Sequence, residues 1–379
     1  MLLPRGRGRP VAFLLLAAPV IAELCWGTTT VSQAAGLLAQ IGLYGCGAIL
    51  IRETVVRWAG GWPSILLLGA AYGAVEEGLL EPTWFTPRLF PHPYGVAAGV
   101  YWPYALFNIG YHAIFSIGIP IALTETLFPD WRHRPWLGRT GLTVTGSVYV
   151  VNAAAIGVAW YTVLQKAAFG IPARLHLPQQ AATGVLIVAL VIAAHRVAPA
   201  RRQPVARLPS APRLALLTAG GALIWFAILL LATGQDVIGW LPPPVPLALI
   251  AVAATAAVRW AWRRPVAAWA QLIAACTGAL LVQAAAGFAA TGLHGSVNII
   301  GKAIINAAEL AALALLWQRA GQLARGTHSP VGPSPDDGHR GPPPSPSTTA
   351  NQQAEVRQPP AQAAQPGSAK TIPEPSSSA

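Results

Sequence analysis

Two adjacent carboxylates, Glu76 and Glu77, stand in the apolar stretch GAAYGAVEEGLL, and Asn108 and His112 stand in the next one, YALFNIGYHAIFSIGIP. Ionisable groups in a spanning helix are expensive, so they mark a site by default. Two carboxylates this close do not both ionise easily. Tyr104, Asn108, His112 and Ser116 follow at i, i+4, i+8 and i+12, which puts them on one helix face. A similar stripe in the last apolar block carries Asn298, Lys302, Asn306 and Glu309, and Glu23, Gln283 and His294 are further candidates. A Glu/His/Lys network spread over several helices suits a proton relay. Plain structural readings stand beside these. The Glu pair would sit at a frayed helix end in headgroup water, and His112 would bond a backbone carbonyl. Lys302 would snorkel, and His294 and Asn298 would simply be solvated.

The elements that must position these residues are membrane helices. The chain of 379 residues is 54% hydrophobic and only 10% charged, against about 25% charge in ordinary globular chains. Its apolar residues come in long blocks rather than in a helical stripe. Spans are expected near 11–27, 31–51, 62–81, 99–123, 141–165, 181–198, 214–234, 244–261, 266–291 and 296–318. Blocks 181–198 and 244–261 are short enough to insert only partly. Arginines concentrate in alternate connectors, for example Arg52 and Arg57, then Arg132, Arg134 and Arg139, while the opposite connectors hold Arg88, Lys166 and Arg174. This positive-inside pattern predicts an all-α polytopic transmembrane helix bundle of about ten spans with both termini cytoplasmic. The formal charge of +12 sits in those connectors, so it does not indicate nucleic acid. Residues 1–320 read as the transmembrane domain, and 321–379, rich in Pro, Ser and Gln, as a disordered cytoplasmic tail. Arg over Lys with abundant Ala, Gly and Pro suits the cytoplasmic membrane of a GC-rich bacterium.

A rise of about 1.5 Å per residue then sets depth, with Glu76 and Glu77 roughly 6–8 Å below the outer surface, His112 near the midplane and Lys302 about 9 Å deep. This predicts a polar cavity in the outer half of the membrane. It also predicts that Lys302 neutralises one of the two carboxylates. The link EPTWFTPRLFPHPYG, with Pro82, Pro87, Pro91 and Pro93, cannot be a helix and caps the cavity as a lid or an interfacial anchor. Trp26, Trp58, Trp62, Trp102, Trp136, Trp240, Trp262 and Trp317 lie near span ends, as an interfacial belt would. Cys25, Cys46 and Cys276 show neither metal nor disulfide spacing. No metal and no cofactor is expected. The expected partners are membrane lipid and a small solute or ion, not nucleic acid, and no protein partner is indicated.

GAVEEGLLEP resembles the first motif of the CAAX-protease and bacteriocin-processing family of intramembrane proteins, a Glu pair, three residues, then Arg. Here the pair is Glu76–Glu77 and position 81 is Glu. The family's second motif, Phe then His, has its counterpart in Phe107 and His112, and His294-Gly-Ser-Val-Asn298 fits the third. The resemblance implies a Glu general base that activates water, with His shaping an oxyanion site. AYGAVEEGL and YHAIFSIGIP also look like a group of uncharacterised multi-pass prokaryotic membrane proteins, which implies a shared architecture and no activity. Three functions stay open: small-solute or ion transport coupled to protons, which leads; an intramembrane glutamate-dependent hydrolase; and a non-catalytic membrane scaffold. No residue is assigned a catalytic role.

Overall fold

The structure, a computed structural model, describes residues 6, 8–89, 95–197, 209–233, 269–291 and 296–326. Two units divide the chain, Met1–His328 and Ser329–Ala379, and the second lies outside the described residues. The expected span 244–261 and residue His294 also lie outside them.

The described residues of the first unit are helical almost throughout. Helix α1 (Gly8–Pro19) runs on as a π-helical turn, Val20–Leu24. After the 3₁₀ turn Val31–Gly36, α2 (Leu37–Gln40), a π turn at Ile41–Gly45 and α3 (Cys46–Arg57) follow without a break. Helix α4 (Trp62–Val75) continues as the π turn Glu76–Leu80. Helix α5 (Trp102–Tyr111), the π segment His112–Gly118 and α6 (Ile119–Leu127) form one rod. Pro120 offers no N–H to an α-helical carbonyl in the preceding turn, which is where the wider π winding lies. Helix α7 (Arg139–Ala159), the π turn Trp160–Leu164 and α8 (Gln165–Phe169) form the next rod, ended by Gly170 in a left-handed conformation at φ 70°. Helices α9 (Leu177–Arg196), α10 (Ala211–Thr233), α11 (Trp269–Thr291) and α12 (Ser296–Gly326) complete it.

Among the described residues, five helices are long and apolar enough to cross a membrane: Trp102–Leu127, Arg139–Phe169, Leu177–Arg196, Ala270–Phe288 and Asn298–Arg319. The short block near 181–198 is therefore a continuous apolar helix. Helices α7 and α9 leave large apolar side chains exposed, among them Val148, Val150, Val151, Val185 and Val188. An apolar exterior is what a lipid environment tolerates and water does not. Inside, one apolar cluster joins Leu14, Leu43, Ile49, Ile65, Ile117 and Trp136, and a second joins Ile21, Phe107, Phe115, Phe226, Ile273 and Leu280.

In lipid, helices associate by close packing, which small residues permit. Gly69 and Gly73 of α4 meet the π segment of the α5–α6 rod. A Cβ on Gly69 would lie 2.8 Å from Ala113 Cα, and one on Gly73 would lie 2.9 Å from His112 Cβ. This crossing sets the carboxylate turn of α4 against His112.

Several expectations shift. The second span, read as 31–51, begins its α-helix at Leu37 and continues to Arg57, so Arg52 lies inside a helix and is fully buried rather than in a connector. Trp136 is not an interfacial anchor: it is completely buried, with the Arg52 guanidinium 3.8 Å from its ring centroid. Trp26 packs against Phe226 at 4.9 Å between ring centroids. Helix α12 continues past residue 320 to Gly326, and the remainder of the expected tail lies outside the described residues. The proline-rich link forms two short 3₁₀ turns, Thr83–Phe85 and Pro87–Leu89, and a two-stranded hairpin, β1 (Val96–Ala97) with β2 (Val100–Tyr101). Its residues 90–94 lie outside the described residues.

Candidate functional site

Each of the five π turns brings a residue to one cavity of about 490 Å³: Glu23, Tyr44, Glu76, His112 and Trp160. A π turn widens the helix by one residue and is found disproportionately at functional sites. Here it turns polar side chains out of otherwise apolar helices toward a common space.

His112 lies at the centre and is buried. Its Nδ1 is 3.5 Å from Glu76 Oε2, and its Nε2 is 3.5 Å from Glu77 Oε1. Ser116 Oγ lies 3.1 Å from Nδ1, one turn along the same rod. The ring stacks on Tyr44 at 6.2 Å with 16° between planes, so it cannot swing away from the carboxylates without breaking that packing. Tyr44 Oη lies between Glu76 Oε1, to which it is hydrogen-bonded, and Glu23 Oε1 at 2.6 Å. Glu23 Oε2 also accepts from the hydroxyls of Thr28 at 2.7 Å and Thr29 at 2.9 Å. On the other side, Thr83 Oγ1 donates to Glu77 Oε2. The result is an unbroken series, Glu23–Tyr44–Glu76–His112–Glu77–Thr83, contributed by four separate helices and the start of the proline-rich link.

Asn108 is buried on the same wall, one turn before His112, and its Nδ2 makes no hydrogen bond of normal geometry among the described residues. Glu81 and Thr83 also line the cavity, so the start of the link is part of its wall. Gln283 reaches it indirectly: its Nε2 donates to Ile21 O at 2.8 Å and lies 2.7 Å from Tyr111 Oη, and Tyr111 is a wall residue. Among the described residues, no three of His, Cys, Asp and Glu converge closely enough to hold a metal ion.

Lys302 does not belong to this site. Its ammonium donates to Leu24 O at 3.2 Å, Cys25 O at 2.5 Å and Asn306 Oδ1 at 2.8 Å. The expected pairing with Glu76 or Glu77 is therefore overturned. The carbonyls at the end of the first rod have no following helical turn to bond them, and they satisfy the ammonium instead of a carboxylate. Asn306 Nδ2 is bonded to Ala284 O at 3.3 Å, and Asn298 Oδ1 accepts from Ser32 N at 3.4 Å. The buried Glu309 carboxylate, on the same helix as Lys302, faces the Cys25 thiol and does not line the cavity. Helix rise bears on distance along a helix axis and carries no information about direction around the bundle.

Tyr44, Thr83 and Trp160 are residues the sequence reading missed, and Tyr44 is the most central of them. Its only signal is a lone hydroxyl within IGLYGCG, an apolar run punctuated by glycines.

A family model described as an uncharacterized membrane protein family matches residues 12–327. No curated protein and no solved structure matches the chain.

Proposed function

The chain belongs to this uncharacterised membrane protein family, and we propose that it is a proton-linked transporter of a small solute, with the cavity as its binding site. The observation that carries this reading is the series Glu23–Tyr44–Glu76–His112–Glu77. Tyr44 has one hydroxyl proton and two carboxylate neighbours. It can donate to one of them; the other contact then needs a proton held by the carboxyl itself. A neutral imidazole likewise has one N–H for two facing carboxylates, and an imidazolium has two. The series therefore changes its proton count by rearranging bonds already in place, which is what a relay requires. The arginine distribution supports ten spans with both termini cytoplasmic, and the cavity then opens toward the outside of a bacterial plasma membrane.

The test is the full chain in liposomes under an imposed proton gradient, with a pool of cationic, anionic and neutral small solutes. Accumulation that a protonophore collapses and His112→Ala abolishes is expected. No accumulation would overturn the reading. The second reading, a glutamate-dependent hydrolase, is favoured by the Asn108 amide beside His112 and Glu77, which could steady an oxyanion. It predicts hydrolysis of an added peptide or ester that Glu77→Gln removes.

A further inference from the structure

The cavity's chemistry narrows the solute beyond a transporter reading, on which this inference rests. Its wall carries four carboxylates, Glu23, Glu76, Glu77 and Glu81, against one imidazole, and no Lys or Arg among the described residues. The nearest buried ammonium, Lys302, is fully engaged elsewhere. The wall is thus short of positive charge in a setting where charge is weakly screened. Two aromatic pairs also line it: Trp26 with Phe107, 6.4 Å between ring centroids, and Trp160 with Phe169, 6.2 Å. Aromatic faces attract cations and shelter an apolar body. An inorganic ion explains neither pair, and the carboxylates do not converge as metal ligands. Finally, the buried Asn108 Nδ2 on this wall, 4% exposed as a residue, faces the Tyr104 hydroxyl without making a hydrogen bond of normal geometry, and it is a donor for a ligand that also carries an acceptor oxygen.

We propose that the cavity binds an organic monocation, a substituted ammonium on a small apolar body with a hydroxyl or carbonyl oxygen nearby. The ammonium sits at Glu76 and Glu77, the body lies between Trp26 and Trp160, and the oxygen accepts from Asn108. Binding in place of a proton would also link solute to proton without any further group, since both neutralise the same carboxylates.

The experiment is calorimetric binding to the full chain in detergent. The probes are choline, the tetramethyl- to tetrabutylammonium series, and 3,3-dimethyl-1-butanol, the neutral carbon isostere of choline, at constant ionic strength. Saturable binding of choline or a member of the series is expected, with the isostere at least tenfold weaker. Glu77→Gln and Trp160→Leu, each with an unchanged melting temperature, should each weaken the bound cation tenfold or more. Failure of every cation to bind, equal binding of the isostere, or no change in either variant would overturn the proposal. Competition by phosphatidylcholine but not phosphatidylglycerol in nanodiscs would assign the ammonium to a lipid headgroup; no competition would assign it to a free solute. Cation binding without proton-linked uptake would refute transport and leave this inference standing. Uptake of a solute that is not a cation would do the reverse.

Discussion

Two of the polar clusters inside this apolar bundle are built on opposite principles. Around Arg52 every group is answered. The guanidinium meets Glu53 Oε1 at 2.9 Å and Glu125 Oε1 at 3.4 Å, and donates to the carbonyls of Arg134 at 2.8 Å, Trp131 at 2.7 Å and Arg132 at 2.5 Å. Glu53 in turn accepts from Trp136 N at 2.8 Å, Leu137 N at 3.1 Å and Arg57 Nη1 at 2.5 Å. The cluster ties the loop after α6 to α3. Around His112 the carboxylates share donors, the Asn108 amide makes no hydrogen bond of normal geometry, and a cavity remains. Buried charge that is fully paired holds a structure together; buried charge that is left short of partners is kept for something else.

The comparison can be broken at several points. The largest effect should come from Arg52→Met, which removes one cationic partner each from Glu53 and Glu125 and the donor of three carbonyls. A loss of about 3–5 kcal/mol is expected, seen as failure to survive detergent extraction as a monodisperse species. Near-normal extraction would show that the cluster is decoration. Next is Gly73→Val, whose Cβ would press on His112 at 2.9 Å. Overpacking of this kind costs about 1–3 kcal/mol, and it should move the His112 ring and lower uptake more than thermal stability. Unchanged uptake would mean that the α4 crossing does not set the site. Smallest is the coupling between Lys302→Met and Glu77→Gln. Because the two groups have no shared partner, the double variant should equal the sum of the singles within about 0.5 kcal/mol. A larger rescue in thermal unfolding would restore the pair that the structure separates.

Much of the site was legible because cost and period are one-dimensional signals. The expense of Glu76, Glu77 and His112 inside apolar runs, and the four-residue spacing of Tyr104, Asn108, His112 and Ser116, need no fold to be noticed. What could not be read was direction around the bundle. Lys302 faces the end of the first rod instead of the carboxylates, and Tyr44 carries no charge to draw attention. The π turns were equally hidden, since a one-residue widening leaves no distinct apolar period. Arg52 was assigned to water because positive charge near a span end usually is solvated. Its burial depends on three carbonyls and Glu125 from 73 to 82 positions downstream, contacts that exist only once the chain has folded.

One substitution made at both clusters tests the distinction most directly. Glu53→Gln and Glu76→Gln remove the same charge and add the same amide, and thermal unfolding of the two purified variants can be compared in one detergent. At Glu53 the new amide faces donors on every side, so a loss of about 3–5 kcal/mol is predicted. At Glu76 it relieves a crowded group of carboxylates, so the change should stay within about 1 kcal/mol, while proton-linked uptake is lost. An equal fall in stability at both positions would contradict the account, because the His112 cluster would then be a second structural tie.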